Sequence, residues 1–301
     1  LPRIIGMLAT GIVLGPFVLD LLDPKILGIS SELRKMALVI ILIKAGLSLN
    51  ISDLKKVGRP ALLMSFLPAC FEILGFSLLG PRILGVSLKE ALIMGAVLGA
   101  VSPAVVVPKM VQLMDEKRGT GKSIPQMILA GASLDDVFVI VLFQTFVNME
   151  SGGTAELMDF VNIPVSIVLG IVLGIFTGFL LALIFEFLYR HQNKIRNRKK
   201  MILILGFAFL LMAAENLLEP WVAVSGLLAV MSMAASFSAK SEDCVGKRLS
   251  QKFGKLWIAA EVILFVMVGA AVDIRYTLEA GPLVVAMIFI ALAFRSVGVI
   301  L

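Results

Sequence analysis

The chain has 301 residues, of which 59% are hydrophobic and 16% charged, with a formal net charge of +6 and a mean hydropathy of +1.01. That apolar content is well above what a water-soluble domain carries. The charges fall between apolar runs, so the positive balance reads as membrane topology and excludes nucleic acid as a partner. Two cysteines, Cys70 and Cys244, and one histidine, His191, give neither a disulfide framework nor a metal-ligand set.

A spanning helix needs about 20 predominantly apolar residues. Ten runs qualify, at about 3–22, 33–49, 60–84, 88–113, 123–149, 162–189, 200–217, 220–238, 254–274 and 281–301. They predict an all-α polytopic membrane protein with membrane lipid as its main surroundings. Basic residues concentrate in alternate loops, near 50–60, 109–122, 190–200 and 239–255; the 190–200 loop alone holds Arg190, Lys194, Arg196, Arg198, Lys199 and Lys200. The loops at 150–161 and 218–219 have no Lys or Arg, and carry Glu150, Glu156, Asp159 and Glu219 instead. Under the positive-inside rule the basic loops face the cytoplasm, which places both Leu1 and Leu301 near that side.

The end of span two, Lys44-Ala45-Gly46-Leu47-Ser48-Leu49-Asn50-Ile51, resembles the end of span nine, Met267-Val268-Gly269-Ala270-Ala271-Val272-Asp273-Ile274. Aligning Gly46 with Gly269 also aligns Gly58 with Gly281 and sets Glu72 of span three on Arg295 of span ten. One span earlier, Gly6-Met7-Leu8-Ala9 resembles Gly226-Leu227-Leu228-Ala229. The matched spans are an odd number apart, so the copies are expected to be inverted in the membrane, an arrangement that places binding near the bilayer midplane.

Span four reads Gly95-Ala96-Val97-Leu98-Gly99-Ala100-Val101-Ser102-Pro103-Ala104-Val105-Val106-Val107-Pro108. Proline removes a backbone donor and clashes with the preceding turn, so Pro103 and Pro108 together predict a helix broken near its middle. Carbonyls freed at membrane depth are tolerated only inside protein or beside a wet cavity. With Ser102 they form a candidate ligand set for a small cation. Gly95 and Gly99, and Gly170, Gly174 and Gly178 on span six, read as close-packing faces.

Span five carries Asp135 and Asp136 side by side. Asp135 lies twelve residues beyond Ser123, about 18 Å along a helix, which is close to the middle of a core about 30 Å thick. Carboxylates at that depth are costly and mark ion or proton handling. Helical neighbours point about 100° apart, so one carboxylate can face a cavity while the other faces a packed partner. A buried carboxyl holds either a proton or a metal ion, and that competition is the physical basis of exchange. Arg295 has two candidate partners: Glu72, the mate the repeat predicts, or Asp135, which leaves Asp136 free. Lys44, near a span end, reads as a snorkelling residue.

These residues together resemble the cation:proton antiporter superfamily, in its branch of sodium/hydrogen exchangers with two adjacent aspartates. The stretch Val101–Pro108, the Asp135-Asp136 pair, the Lys44-Ala45-Gly46-Leu47 run and Arg295 carry the resemblance. It implies an inverted-repeat antiporter fold, Asp136 as the main cation- and proton-binding group with Asp135 beside it, and Arg295 in a structural ion pair. It also implies panel helices that dimerise (1–59 and 200–280), a core that moves against them (60–150, with the broken helix at 88–113, and 281–301), and a linker helix with its basic loop (151–199). An acidic position in the family corresponds to Ala271 here, a departure from the pattern near span nine. The apolar run 296–301 is cut short, and the family's crossed partner of span four is expected beyond Leu301, so the chain is expected to be part of a longer transporter.

The activity implied is exchange of Na+ or Li+ for protons across a cell membrane, a prokaryotic inner membrane by default, by a homodimer without resident cofactor. A sodium-coupled symporter of an organic anion shares the fold, but it would need a roomier cavity with more Asn, Gln and Thr lining than spans three to five carry. An intramembrane aspartyl protease needs its two aspartates on facing helices, not adjacent on one, so the expectation is a transporter and not an enzyme.

Overall fold

A computed structural model describes residues 3–49, 58–150, 157–192, 197–218, 221–241, 243–279 and 281–301. Asn50, Ile51 and Glu219, and parts of the loops near 50–60, 150–161 and 190–200, fall outside the described residues, as do the side chains of Asp136, Asp159, His191 and Cys244.

All regular structure among the described residues is helical. In chain order the helices are α1 (Arg3–Leu14), α2 (Pro24–Gly28), α3 (Ser30–Ser48), α4 (Gly58–Met64), α5 (Leu67–Ile83), α6 (Leu88–Gly99), α7 (Pro103–Asp115), α8 (Ile124–Glu150), α9 (Leu157–Gln192), α10 (Asn197–Leu218), α11 (Gly226–Lys240), α12 (Asp243–Ala270), α13 (Ile274–Glu279) and α14 (Gly281–Ile300). Among the described residues seven segments are long and apolar enough to cross a membrane: Gly58–Ile83, Leu88–Asp115, Ile124–Val147, Val161–Phe187, Arg198–Leu218, Val245–Ala270 and Gly281–Ile300. Helices α1 and α11 are shorter apolar helices, and α3 is charged at its start and mostly buried from Ala37 to Leu47. Large side chains such as Phe176, Leu210 and Phe289 are more than 60% exposed, an outward-facing apolar surface that a bilayer covers and water would not. The molecule is therefore a multi-pass membrane protein.

Four spans differ from the sequence expectation. Span nine begins at Asp243 and ends at Ala270, so most of the basic segment expected as a loop at 239–255 is helical. Span one stops being helical at Leu14, because Pro16 follows Gly15 and cannot donate to the helix. The chain then turns, with Gly15 O accepting from Asp20 N at 2.9 Å. Span three is split between α4 and α5. Ser65 N and Oγ both bond to Leu62 O, at 3.1 and 2.6 Å, and Pro68 sits in the first turn of α5, where a missing N–H costs nothing. Span eight begins only at Gly226, whose N–H donates to Glu215 Oε1 at 3.0 Å while Ser225 N donates to Ser166 O at 3.2 Å. Side-chain capping there replaces the turn of helix that the hydropathy predicted.

The packing exchanges partners as an inverted repeat requires. Helix α3 packs on α11, and its repeat counterpart α12 packs on α1. A Cβ at Gly46 would collide with Met231 O and lie 2.7 Å from Ala234 Cβ. A Cβ at Gly269 would collide with Leu8 O and lie 3.1 Å from Gly11 Cα. In the sequence repeat Met231 is the counterpart of Gly11, so the two glycines make equivalent approaches. Helices α5 and α14 are themselves counterparts and pack together, with Phe294 against Gly75 and Phe71 against Gly298, each 3.0 Å from the position a Cβ would take. Phe71 aligns with Phe294 and Gly75 with Gly298, which makes the contact self-reciprocal. Gly46→Val should therefore destabilise the protein by about 1–3 kcal/mol through overpacking, measured as a lowered thermal midpoint in detergent. An unchanged midpoint would contradict the close α3–α11 approach.

Candidate functional site

The break in span four lies at Ala100–Ser102, between α6 and α7. Helix α6 opens on a capping box: Ser87 Oγ accepts from Glu90 N at 3.1 Å and Glu90 Oε2 from Ser87 N at 2.7 Å. At its other end Ala100 and Ser102 are extended (φ −66, ψ 129 and φ −65, ψ 112). A residue preceding proline is biased away from helix, and Pro103 then occupies the first turn of α7, where it is tolerated. Pro108 behaves differently from the expectation. It lies inside α7, so the second proline does not open the helix; the interruption belongs to Pro103 alone.

An interrupted helix exposes carbonyls at one end and N–H groups at the other, with partial negative and positive charge respectively. Side chains from two other helices meet them here. Asp135 of α8 is 1% exposed, and its Oδ2 accepts from Val101 N at 2.8 Å. Arg295 of α14 donates through Nη1 both to Gly99 O, at 2.8 Å, and to Glu72 Oε2. Each charge matches the helix end it faces. Of the two partners open to Arg295, Glu72 is the one in contact; it is 3% exposed on α5.

Asp135 Oδ1 is buried and has no hydrogen-bond partner, a condition shared among the described residues with Gln126 Oε1. Buried carboxylate oxygens are nearly always satisfied, so an unpaired one beside a broken helix is the strongest chemical feature of the site. Asp136 follows on the same helix, with its side chain outside the described residues. Ser102 precedes α7 without capping it and lines a cavity of about 540 Å³ that also touches Leu8, Arg34, Leu38, Phe265 and Val268. Lys44 lines a second cavity, of about 1130 Å³, with Ser48, Asp115, Lys247, Ser250 and Lys255. The two cavities lie toward opposite ends of α3, and Ser31 and Ser48 at those ends are about 25 Å apart along the helix. The buried residues Ala104, Val107 and Val111 of α7 share the main core with α3.

The freed carbonyls of span four were expected as cation ligands, but Gly99 O accepts from Arg295 instead; Val101 N as the partner of Asp135 was not foreseen from the sequence. The Phe71–Gly298 and Phe294–Gly75 contacts flanking the ion pair follow from extending the repeat alignment through span ten.

An all-α membrane fold with an inverted repeat and a helix interrupted beside a buried carboxylate defines a class of secondary transporter. The whole chain, residues 1–301, matches the family model described as sodium/hydrogen exchanger, transmembrane, and the chain belongs to that family. It is 31% identical over 300 residues to sodium/hydrogen exchanger 9B2 of Homo sapiens, covering 98% of this chain and 54% of that protein. It is 30% identical over 301 residues to sodium/hydrogen exchanger 9B1 of Homo sapiens, covering 97% and 56%. The chain thus spans about half the length of these relatives. Its fold matches that of the sodium proton antiporter MjNhaP1 from Methanocaldococcus jannaschii with a TM-score of 0.73 at 21% identity, over 99% of this chain and 71% of that one.

Proposed function

We propose that the chain carries the ion site of a secondary antiporter that exchanges Na+ or Li+ for protons, with Asp136 as the main binding group and Asp135 and Ser102 beside it. The observation that carries this reading is Asp135, buried, with one oxygen on the broken helix and the other unpaired. It holds the start of α7 and adds negative charge on the helix that carries Asp136. A cation reaching the pair is stabilised by carboxylate and hydroxyl oxygens; a proton neutralises the pair and releases it. The two are mutually exclusive, which couples their movements.

The smaller cavity, which Ser102 lines, supports access to the site from that end of α3. Helices α1, α3, α10, α11 and α12 would form the dimerising panel. Helices α4 to α8 and α14 would form the mobile core, carrying the Glu72–Arg295 pair as a structural brace, and α9 would link the two. The branch with two adjacent aspartates is the one we assign, and a cell membrane is the expected location.

The test is proton flux in proteoliposomes of the full-length protein. Na+ or Li+ added on one side should drive protons to the other over a bounded pH range, with K+ the comparison. Absence of proton movement with any of the three cations overturns the reading. Sodium movement that needs an organic anion would place the protein among symporters instead.

A further inference from the structure

We infer that the larger cavity, at the Lys44–Leu49 end of α3, is a binding site for a phosphate-bearing anion. Lys44 enters it from α3 and Lys247 and Lys255 from α12, while Asp115 of α7 is the one acidic residue among the described residues that line it. Three ammonium groups thus face one carboxylate. Among the described residues none of the three lysines makes a salt bridge or a side-chain hydrogen bond, so the described lining carries a positive surplus. Gathering like charges around one concavity is unfavourable unless an anion enters it.

The neighbouring hydroxyls are already committed. Ser48 Oγ donates to Lys44 O at 2.9 Å and lies 2.9 Å from Ser250 Oγ, and Ser238 Oγ donates to Leu47 O at 3.1 Å. The lysines, with the Gln251 amide, are therefore the donors left for a ligand, and ammonium groups approaching from two helices suit an anion that is multiply charged and accepts in several directions. A phosphate does both; a lone carboxylate carries too little charge. The same lysines disfavour a metal cation in this cavity, which separates it from the carboxylate site at the helix break. At about 1130 Å³ the space admits a free phosphate anion or a phospholipid headgroup, which share this chemistry. Because Met114 and Asp115 close one wall, a bound anion would bridge α7 to α3 and α12.

Two arms of one experiment separate the sources. In the first, the protein in phosphatidylcholine nanodiscs is titrated with inorganic phosphate against chloride at equal ionic strength. In the second, the nanodiscs contain phosphatidic acid and no free phosphate. The thermal midpoint should rise with ligand in at least one arm; the first arm alone identifies a free anion, the second alone a headgroup. In Lys44→Gln/Lys247→Gln/Lys255→Gln the apparent affinity should fall at least about tenfold, the equivalent of one lost charge-assisted hydrogen bond. Should that variant fail to fold, Lys247→Gln/Lys255→Gln, both at exposed positions, must still weaken the response, and Lys25→Gln must not. No rise in either arm, or an equal rise in the lysine variants, overturns the inference. The readout is binding and not transport, so it stands or falls apart from the exchange activity.

Discussion

Asp136→Asn is expected to reduce cation-driven proton flux to the level of protein-free liposomes while leaving the protein folded in the membrane. An amide has nearly the volume of a carboxyl but does not exchange a proton, so it removes the competition on which coupling rests. Asp135→Asn should behave differently. Its remaining carbonyl oxygen can still accept from Val101 N, the bond that Asp135 makes at 2.8 Å, so α7 keeps its cap and measurable exchange should survive with an altered proton-to-cation ratio. Side-by-side flux measurements of the two variants decide the assignment. Ion-dependent proton flux retained in Asp136→Asn contradicts it, and complete loss in both would mean that the pair acts as one site.

The largest effect on stability is expected at Arg295. Arg295→Leu leaves Glu72, 3% exposed, without the cation that compensates its burial, a loss of about 3–5 kcal/mol for a broken buried pair. It also leaves Gly99 O without its donor. Glu72→Leu/Arg295→Leu removes both charges and should recover most of that loss, because replacing a buried pair with apolar residues is often neutral. What remains is the carbonyl, about 1 kcal/mol. Thermal unfolding in detergent of the single and double variants separates the two terms. A double variant as unstable as Arg295→Leu would show that the carbonyl, and not the ion pair, dominates.

The helices and the interruption were legible because apolar runs of membrane length and an X-Pro junction have few other solutions in lipid. Glu72 and Arg295 were legible as a candidate pair because the repeat set them on equivalent positions. What was not legible depended on which groups meet after packing. Pro103 and Pro108 look alike in sequence, but only Pro103 begins a helix; Pro108 costs the bond to Ala104 O and leaves α7 continuous. The split at Ser65–Phe66 follows from Pro68 together with the packing of α4 on α8, and only the first of these is local. Likewise nothing near Gly99 announces that its carbonyl will be met by a residue 196 positions away.

That separation has a consequence for biogenesis. When the segment from α6 to α8 leaves the translocon, Val101 can already find Asp135, because both lie in the newly inserted piece. Gly99 cannot yet find Arg295, which is synthesised nearly two hundred residues later. Until α14 arrives, the unmet carbonyl must be served by trapped water, and the nascent half-molecule holds an unfinished seam. Maturation is thus a two-stage event, with one end of the gap sealed early and the other only when the second copy of the repeat docks against the first.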